Sequence, residues 1–273
     1  MLRSQRRLGV AGLAASGFAL RKLGIRSAAA APADGHTMSG DLPVVYQYKI
    51  CPFCSKVKAL LDHLKEPYST VEVNPLTKSE IGFSKEHRKV PILVRNGVQV
   101  NESDAIIEYL TKELKVKDKL GARFFPADSD KWATWCDKKL AVMLYPNITR
   151  SMAESWECFG YVDNVKSWNV TNQFVTRAAG AVAMSLANGR IKKKYNIADE
   201  RGELKATLAE WTGAVGDKKY LHGDYVTLPD LLVFGVLRSI SGLTTFKEIM
   251  AENTLLRSWY ERMDAALPSM AIA

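Results

Sequence analysis

The sequence is poor in the residues and runs that mark several classes of protein. Its 273 residues include only four cysteines, too few for a secreted scaffold held together by disulfide bonds. The apolar run at residues 8–20 has 13 residues, whereas a membrane-spanning helix needs about 20. Hydrophobic residues make up 47% of the chain and charged residues 25%. These values exclude a multi-span membrane protein, a mainly disordered chain and a collagen.

Acidic residues are absent from residues 1–33, which carry six of the basic residues: Arg3, Arg6, Arg7, Arg21, Lys22 and Arg26. This segment therefore contributes most of the net charge of +9, and the rest of the chain is nearly balanced. A basic surface for nucleic acid would need its charge in the folded body. We therefore expect no nucleic-acid partner.

The same N-terminal composition predicts that residues 1–37 are a targeting segment. Mitochondrial targeting sequences are rich in Arg and Ser and poor in acids, so we expect a mitochondrial location. Basic pairs flank the run at residues 8–20 and would favour membrane association if the segment is retained. A cleaved presequence, or an anchor in the Golgi or another endomembrane, is the alternative.

Residues 43–114 carry the pattern of a small α/β domain. A strand at residues 44–48 precedes a helix whose apolar positions are 57, 60, 61 and 64, and a second strand follows at residues 68–73. Asn96-Gly97 between two apolar runs predicts a two-residue hairpin, and a further helix is predicted at residues 103–114. A βαβ unit followed by ββα is the thioredoxin-like arrangement.

Residues 131–273 are predicted to be all-α, after a polar linker at residues 115–130. Helical spacing covers residues 131–144, 172–194, 199–215, 228–239 and 255–266. Thr227 and Asp230 are placed as a capping box for the helix at 228–239, with Pro229 in its first turn. This motif is a stability signal, and we give it no catalytic role.

Cys51 and Cys54 form a C-x-x-C motif where the first predicted strand meets the first helix. The unpaired N–H groups and the dipole at a helix N-terminus favour a thiolate. A thiol with a pKa of about 8.5 is a few per cent ionised at pH 7, whereas one with a pKa of about 6.5 is mostly ionised. The motif therefore predicts a reactive thiol at Cys51. The alternatives are that the two cysteines form half of a zinc site or a static disulfide.

Two later motifs fit a ligand site beside this thiol. Val90-Pro91 opens a strand, where a cis bond would turn the Val90 backbone toward the thiol. Glu102-Ser103 opens a helix, with Ser103 as the expected N-cap and N–H groups free to bind an anion. In the glutathione-transferase fold an acid–serine pair at this place holds the γ-glutamyl end of glutathione. A simple helix cap is the alternative.

Longer stretches of the chain resemble one family. Residues 46–57 (YQYKICPFCSKV), 71–75, 88–93 and 101–103 are similar to the membrane-associated prostaglandin E synthase type-2 family. So are residues 131–132, 145–147, 180–184 and 235–238 in the helical part. The resemblance implies an α/β thioredoxin-like N-terminal domain plus an all-α glutathione-transferase-like C-terminal domain. It also implies isomerisation of prostaglandin H2 to prostaglandin E2.

The resemblance assigns roles to individual residues. Cys51 would be the essential thiol and, with haem bound, the ligand of the haem iron, and Cys54 would resolve it or donate a hydrogen bond to it. Glutathione would contact Val90, Pro91, Glu102 and Ser103, and the substrate would contact Tyr48 and Phe53. Animal members of the family carry aspartate where this chain has Glu102, which keeps the charge. Glutathione and haem are thus the expected cofactors.

Three functions follow from these observations. The leading hypothesis is a glutathione-binding thiol enzyme of the prostaglandin E synthase type-2 kind, acting on a small-molecule or lipid substrate. The first alternative is a non-catalytic accessory subunit of a mitochondrial membrane complex. The expected assembly is therefore either a homodimer or such a complex. The second is a glutaredoxin-type oxidoreductase, because a low-pKa thiol beside glutathione also reduces mixed disulfides.

Overall fold

The sheet lies at the centre of the N-terminal half of the chain. In the computed structural model, which describes residues 25–27 and 42–272, six strands have the order β1-β5-β4-β2-β3-β6. Their bounds are β1 Ile25–Ser27, β2 Val44–Gln47, β3 Tyr68–Glu72, β4 Ile92–Arg95, β5 Val98–Asn101 and β6 Ala271–Ile272. The targeting segment predicted at residues 1–37 lies outside the described residues, apart from β1.

Strand pairing gives the thioredoxin-like topology predicted from the sequence. β2 and β3 are parallel, and β2 and β4 are antiparallel. β4 and β5 form the predicted hairpin, in which Asn96 and Gly97 have φ values of 50° and 71°. A two-residue turn of this kind needs positive φ at both positions, which Asn and Gly adopt readily. The fold class assigned to this part of the chain is confirmed.

Helices α1 (Pro52–His63) and α2 (Ser103–Glu113) pack beside this sheet. Burial of Val57, Leu60 and Leu61 on α1 confirms its predicted apolar face. α1 begins directly after Cys51, with Pro52 as its first residue and no acidic residue in its first turn. An acid there would oppose ionisation of a neighbouring thiol, so this helix start is electrostatically suited to a thiolate.

The segment predicted as a polar linker carries helical structure. α3 (Val116–Leu120) and a 3₁₀ turn at Ala122–Phe124 lie within it. Val116 and Phe124 are buried, and the Phe124 ring stacks on the His63 imidazole of α1 at 5.4 Å between centroids. These two residues hold the segment against the core. A five-residue helix is too short to show a sequence period, which is why it was missed.

The C-terminal part of the described chain is almost entirely helical, as predicted. Its helices are α4 Ser129–Trp135, α5 Ala141–Asn147, α6 Met152–Cys158, α7 Val170–Tyr195, α8 Glu200–Val215, α9 Leu228–Arg238, α10 Thr244–Glu252 and α11 Thr254–Ala266. A π-helical turn at Cys136–Leu140 joins α4 to α5. α6 and α10 were not predicted, because helices of seven and nine residues give weak periodicity.

The expectation of no strand in this part is wrong at β6. Its two residues pair in parallel with Tyr68 and Ser69 at the edge of the sheet. A strand of this length has no alternation to read in the sequence. The pairing brings the C-terminal end of the described chain back to the N-terminal domain.

α9 is the element that joins the two halves. Its residues from Leu228 to Leu237 are buried, and the predicted capping box is present between Thr227 and Asp230. α9 packs along α1 so closely that a Cβ placed on Gly235 would lie 2.7 Å from the Lys56 Cα and 2.9 Å from the Lys56 backbone nitrogen. Real Cβ contacts are longer than this, so glycine is required at the crossing.

Buried ion pairs reinforce the contact between the halves. Asp62 of α1 is fully buried and accepts a hydrogen bond of 2.7 Å from the Arg238 guanidinium of α9. Lys56 is also fully buried and pairs with Asp137 of the π-helical turn and with Asp104 of α2. Removing one partner of such a pair leaves an uncompensated buried charge. The helical part therefore fixes the position of the helix that carries the cysteine motif.

Candidate active site

The turn between β2 and α1 places Cys51 at the start of the helix. The Cys51 N–H donates to the Tyr48 carbonyl at 2.9 Å, and the Cys51 carbonyl accepts from the Ser55 N–H at 3.0 Å. Cys51 is the N-cap residue, with extended backbone angles. Its side chain is partly exposed, whereas Cys54, one turn into α1, is buried. Both cysteines are free thiols, so the pair is not a disulfide in this structure.

The environment of Cys51 favours its thiolate. A hydrogen bond from the Cys54 thiol, the backbone N–H groups of Cys54 and Phe53, and the charge of Lys58 together lower the pKa of Cys51, against the opposing effect of burial. Burial and the same hydrogen bond raise the pKa of Cys54 well above its ordinary value. The two thiols are therefore unequal: Cys51 is the one that ionises, and Cys54 stays protonated and donates to it.

Tyr48 lies beside this pair. Burial, with the charges of Cys51 and Cys54, raises the pKa of its hydroxyl to about 12, so Tyr48 is a neutral donor at physiological pH. Phe53 is partly buried on the first turn of α1, and the Lys56 ammonium lies 5.4 Å from its ring centroid. Tyr48 thus lies beside the thiols, whereas the Phe53 ring packs against the hydrophobic core and its backbone N–H hydrogen-bonds the Cys51 sulfur.

The Val90–Pro91 peptide bond is cis, as expected. Ile92, the next residue, pairs with Tyr46 of β2, so this bond and the Tyr48 turn lie at the same end of neighbouring strands. Tyr48 and Val90 pack against one small cluster of buried residues, Val73, Ile81 and Ile92. The sheet therefore brings the Val90 backbone to the thiol side of the domain.

Glu102 and Ser103 follow β5 at this same sheet end. The Glu102 N–H donates to the Pro91 carbonyl at 3.3 Å, and Ser103 begins α2. The expectation that Ser103 is the N-cap is wrong, because Glu102 takes that position and makes no side-chain cap bond. Ser103 is buried as the first helical residue, while the Glu102 side chain is exposed.

The Glu102 backbone is strained. Its φ of 69° with ψ of 140° is a conformation that residues with a Cβ rarely adopt. Such strain costs about 1–3 kcal/mol and is concentrated at functional sites, where it helps to hold a side chain in place. Here it turns the carboxylate outward at the helix start, next to the cis bond.

Sequence reasoning did not select Glu72, which lies beneath the thiol turn. Its carboxylate accepts from the Lys49 N–H at 2.7 Å and from the Gln47 side chain at 3.2 Å. Burial raises the pKa of Glu72 to about 7, although the Lys49 N–H and the Lys58 charge oppose it. A glutamate inside a strand gives a weak signal, and only the β2–β3 register shows that it faces the turn.

Tyr161, from the 3₁₀ segment Phe159–Asn164, approaches the same site from the helical half. Burial raises the pKa of its hydroxyl, and the charges of Glu72, Tyr48 and Cys51 add to the effect. Its position could not be read from the sequence, since more than 100 residues separate it from the motif. By contrast, burial raises the pKa of Cys158 to about 12, and Cys136 is fully buried, so neither belongs to the thiol site.

The zinc alternative finds no support in the part of the chain that the structure describes. No group of three or more His, Cys, Asp or Glu side chains there is arranged to hold a metal ion. Zinc sites in proteins use four ligands, or three with a water.

The described residues adopt the glutathione-transferase fold, and this fold defines the structural type of the protein. Residues 45–114 match the family model of the glutathione S-transferase N-terminal domain. A β-etherase from Sphingobium has the same fold, with a TM-score of 0.56 at 17% identity over 82% of this chain and 96% of its own. A poplar glutathione transferase F7 gives 0.51 at 14% identity over 83% of this chain and all of its own.

Within this type, the chain belongs to the prostaglandin E synthase 2 family. It is 36% identical to prostaglandin E synthase 2 of Danio rerio over 96% of this chain and 82% of that protein. The Mus musculus protein of the same name is 32% identical over 82% of this chain and 70% of its own length. The chain is also 35% identical to glutaredoxin 1 of Rickettsia felis over 28% of its own length and 78% of that protein.

Proposed function

We propose that this protein is a glutathione-binding thiol enzyme that isomerises prostaglandin H2 to prostaglandin E2. The observation that carries the proposal is the partly exposed Cys51 at the N-terminus of α1, with a lowered pKa, next to the cis Val90–Pro91 bond. The names of the Danio rerio and Mus musculus relatives support the reaction. The test is turnover of prostaglandin H2 by the purified chain with and without glutathione, and failure to form prostaglandin E2 would reject the named reaction.

Cys51 is the nucleophile in this proposal. Its thiolate attacks one oxygen of the endoperoxide, which forms an S–O bond and breaks the O–O bond. The other oxygen takes a proton and becomes a hydroxyl group, and Tyr48 is the neutral donor beside the thiol. Loss of the hydrogen from the carbon that bears the sulfur-bound oxygen, as a proton, then breaks the S–O bond. This step forms the ketone and returns the thiolate, so no external oxidant or reductant is consumed.

Glutathione occupies the sheet end beside the thiol. Its cysteinyl backbone pairs with Val90, next to Pro91, in the manner of an added strand. The Glu102 carboxylate accepts from the γ-glutamyl ammonium. Ser103 and the free N–H groups of α2 bind the γ-glutamyl carboxylate. Phe53 and Tyr48 form the wall that faces an apolar substrate.

Replacing Glu102 with glutamine is expected to weaken glutathione binding by roughly 10- to 100-fold, since a charge-assisted hydrogen bond contributes about 1.5–3 kcal/mol. The unfolding temperature should hardly change, because the side chain is exposed and caps nothing. Calorimetric titration with glutathione measures the effect. Glu108→Gln, on the same helix, is the control and should bind normally. Equal glutathione affinity in wild type and Glu102→Gln would mean that the Glu102-Ser103 motif only starts a helix and does not bind glutathione.

A glutaredoxin-type oxidoreductase is the second candidate, favoured by the free Cys54 thiol one turn from Cys51 and by the likeness to glutaredoxin 1. Attack of Cys54 on a Cys51–glutathione mixed disulfide would release glutathione and leave a Cys51–Cys54 disulfide. Reduction of a mixed disulfide without any isomerase activity would favour this candidate. A chain with neither activity would favour the accessory-subunit function.

Haem binding rests on the family resemblance. Cys51, which is partly exposed and favours its thiolate, would be the residue that holds the haem iron, because cysteine thiolates bind haem iron in other proteins. The same sulfur cannot serve as the attacking nucleophile at that time. Haem and thiol catalysis would therefore exclude each other at Cys51.

The N-terminal segment is proposed to direct the protein to mitochondria. Among the residues that the structure describes, none of the helices is both long and apolar enough to cross a bilayer. Residues 1–33 fused to a fluorescent protein should reach mitochondria, as seen by microscopy, and Golgi staining would support the alternative. Carbonate extraction of the native protein then separates a cleaved presequence, which leaves it in the supernatant, from a retained anchor.

A further inference from the structure

The long helix α7 exposes large apolar side chains and buries small or polar ones. Its buried residues are Thr176, Gly180, Ala181 and Asn188. Its exposed side chains include Val170, Phe174, Val175, Val182 and Leu186. Leu186 is 72% exposed and Phe174 is 63% exposed. A surface helix normally turns its apolar stripe toward the core, and a contiguous exposed apolar patch marks an interaction site. The packing within one chain therefore does not account for this face of α7.

Three of the exposed apolar side chains lie on one side of the helix. Val175, Val182 and Leu186 are separated by seven and four positions, which places them within about 40° of one another around the helix axis. Phe174 lies at the edge of this face, where its ring meets that of Trp156 on α6 at 6.3 Å between centroids. Trp156 is itself exposed. The apolar face of α7 therefore continues onto α6.

Contacts between the two helices hold Trp156 in place. The Arg177 Nε donates to the Trp156 carbonyl at 3.2 Å, and the Arg177 guanidinium lies 4.5 Å from the centroid of the Trp156 ring. Arg177 is held in turn by an ion pair with Asp163. Tryptophan is favoured where an apolar phase meets water, because its ring has a large apolar body and one polar N–H group.

The part of the chain that contains α7 lacks acidic residues. Residues 164–198 contain no Asp or Glu, and their basic residues are Lys166, Arg177, Arg190, Lys192, Lys193 and Lys194. Arg190, Lys193 and Lys194 are exposed near the C-terminal end of α7. Lys193 follows Leu186 by seven positions and so lies on the same side of the helix. The apolar face thus ends in a cluster of positive charge.

This charge favours an anionic lipid surface over a second copy of the chain. Two copies packed α7 against α7 would bring together two basic segments that hold no acidic residue. The acidic side chains of the adjoining α6 already have partners, because Glu154 pairs with Arg150 and Glu157 accepts from Thr244. Anionic lipid headgroups supply negative charge for the basic residues, and the region below them takes up apolar side chains.

We propose that α7, together with Trp156, is a membrane-binding surface of the folded protein that lies on an anionic phospholipid bilayer without crossing it. Phe174, Val182 and Leu186 enter the boundary between headgroups and acyl chains, and the basic residues at the end of α7 contact lipid phosphates. The inference goes beyond the proposed function and does not depend on the reaction. It also concerns a surface separate from the N-terminal segment.

The first experiment is cosedimentation of the full chain with vesicles of phosphatidylcholine and phosphatidylglycerol. Leu186→Ser should weaken binding by roughly 10-fold, because it removes a large apolar side chain from the bilayer. Leu255→Ser is the matched control, since Leu255 is a leucine of similar exposure on α11, and it should bind like wild type.

The charges are tested in the same assay. Arg190→Gln/Lys193→Gln should weaken binding to these vesicles by roughly 20-fold, a factor of about five for each charge. On vesicles of phosphatidylcholine alone the two substitutions should have no effect. Lys117→Gln/Lys119→Gln, on α3, removes the same number of exposed positive charges and should bind like wild type.

A local signal separates this surface from the N-terminal segment, which is a second candidate for vesicle binding. Residues 1–41 contain no tryptophan, whereas Trp156 is exposed on the proposed surface. Vesicles with brominated acyl chains should quench part of the tryptophan fluorescence of wild type. That part should be absent in Trp156→Phe, and thermal unfolding shows that each variant is folded.

Three results would overturn the inference. They are absence of wild type from the vesicle pellet, equal binding by wild type and Leu186→Ser, and no quenching of Trp156 in the vesicle-bound protein. A dimer that Leu186→Ser dissociates in sedimentation equilibrium, with vesicle binding unchanged, would assign the face to a second copy of the chain instead. None of these results bears on the proposed reaction, because neither turnover nor glutathione affinity is measured.

Discussion

Replacing Cys51 with serine is expected to abolish thiol-dependent turnover of the endoperoxide or of a mixed disulfide. Serine keeps the size of the side chain, but its hydroxyl does not ionise near neutral pH and is a far weaker nucleophile. Turnover of prostaglandin H2 and of a glutathione mixed disulfide measures the effect. Glutathione affinity should persist, because Val90, Glu102 and Ser103 remain. Full turnover by Cys51→Ser would eliminate the proposed mechanism.

Alkylation of the wild-type protein provides the matching pH measurement. The rate follows the thiolate fraction, so with a lowered Cys51 pKa it should reach its plateau at a lower pH than the rate of a free cysteine. Cys136 and Cys158 should react slowly at all neutral pH values, since both are buried and have raised pKa values. Cys136→Ser and Cys158→Ser are therefore the matched controls, and both should keep turnover if they fold.

Replacing Gly235 with valine is expected to destabilise the protein by about 3 kcal/mol, at the upper end of the usual cost of overpacking. The added Cβ would lie 2.7–2.9 Å from backbone atoms of Lys56 and Ser55, which cannot move aside as a flexible side chain would. Chemical unfolding followed by circular dichroism measures the loss. The surviving folded fraction should also show altered reactivity of Cys51, because α1 must shift.

Gly213→Val is the control for this substitution. Gly213 also lies inside a helix, α8, but nothing lies within 4 Å of a Cβ placed on it. Valine and glycine differ little in helix propensity, so the change in stability should stay within about 0.5 kcal/mol. Equal losses at Gly213 and Gly235 would mean that helix propensity, and not the approach of α9 to α1, explains the effect.

The parts of the site that the sequence predicted are those set by short-range rules. Cys51 at a helix start follows from the strand, the proline and the apolar spacing after it. The hairpin follows from Asn96-Gly97, whose conformational preferences are local. The capping box at Thr227 and Asp230 needs only four residues. Each of these motifs carries its own physical reason, so the surrounding fold was not needed to find it.

The parts that were missed depend on long-range placement. Glu72 faces the thiol turn only because β2 and β3 pair with Gln47 opposite it. Tyr161 lies within electrostatic reach of the thiol turn because the helical half folds against it. Ser103 is not the cap because β5 ends at Asn101 and leaves Glu102, with its positive φ, to start the helix. None of these arrangements produces a periodic pattern in the sequence.

The buried charges of α1 bear on the order in which the chain can complete its fold. The Asp62 carboxylate is neutralised by Arg238, 176 positions further along the chain, and also accepts from the Met270 N–H at 2.8 Å, 208 positions further along. The Lys56 ammonium needs Asp137, 81 positions away. During synthesis, Asp62 of the helix that bears Cys51 lacks both of its partners until almost the whole chain is available. We therefore expect α1 to reach its final position against the helical part only late in folding, although the groups that lower the pKa of Cys51 lie on α1 itself.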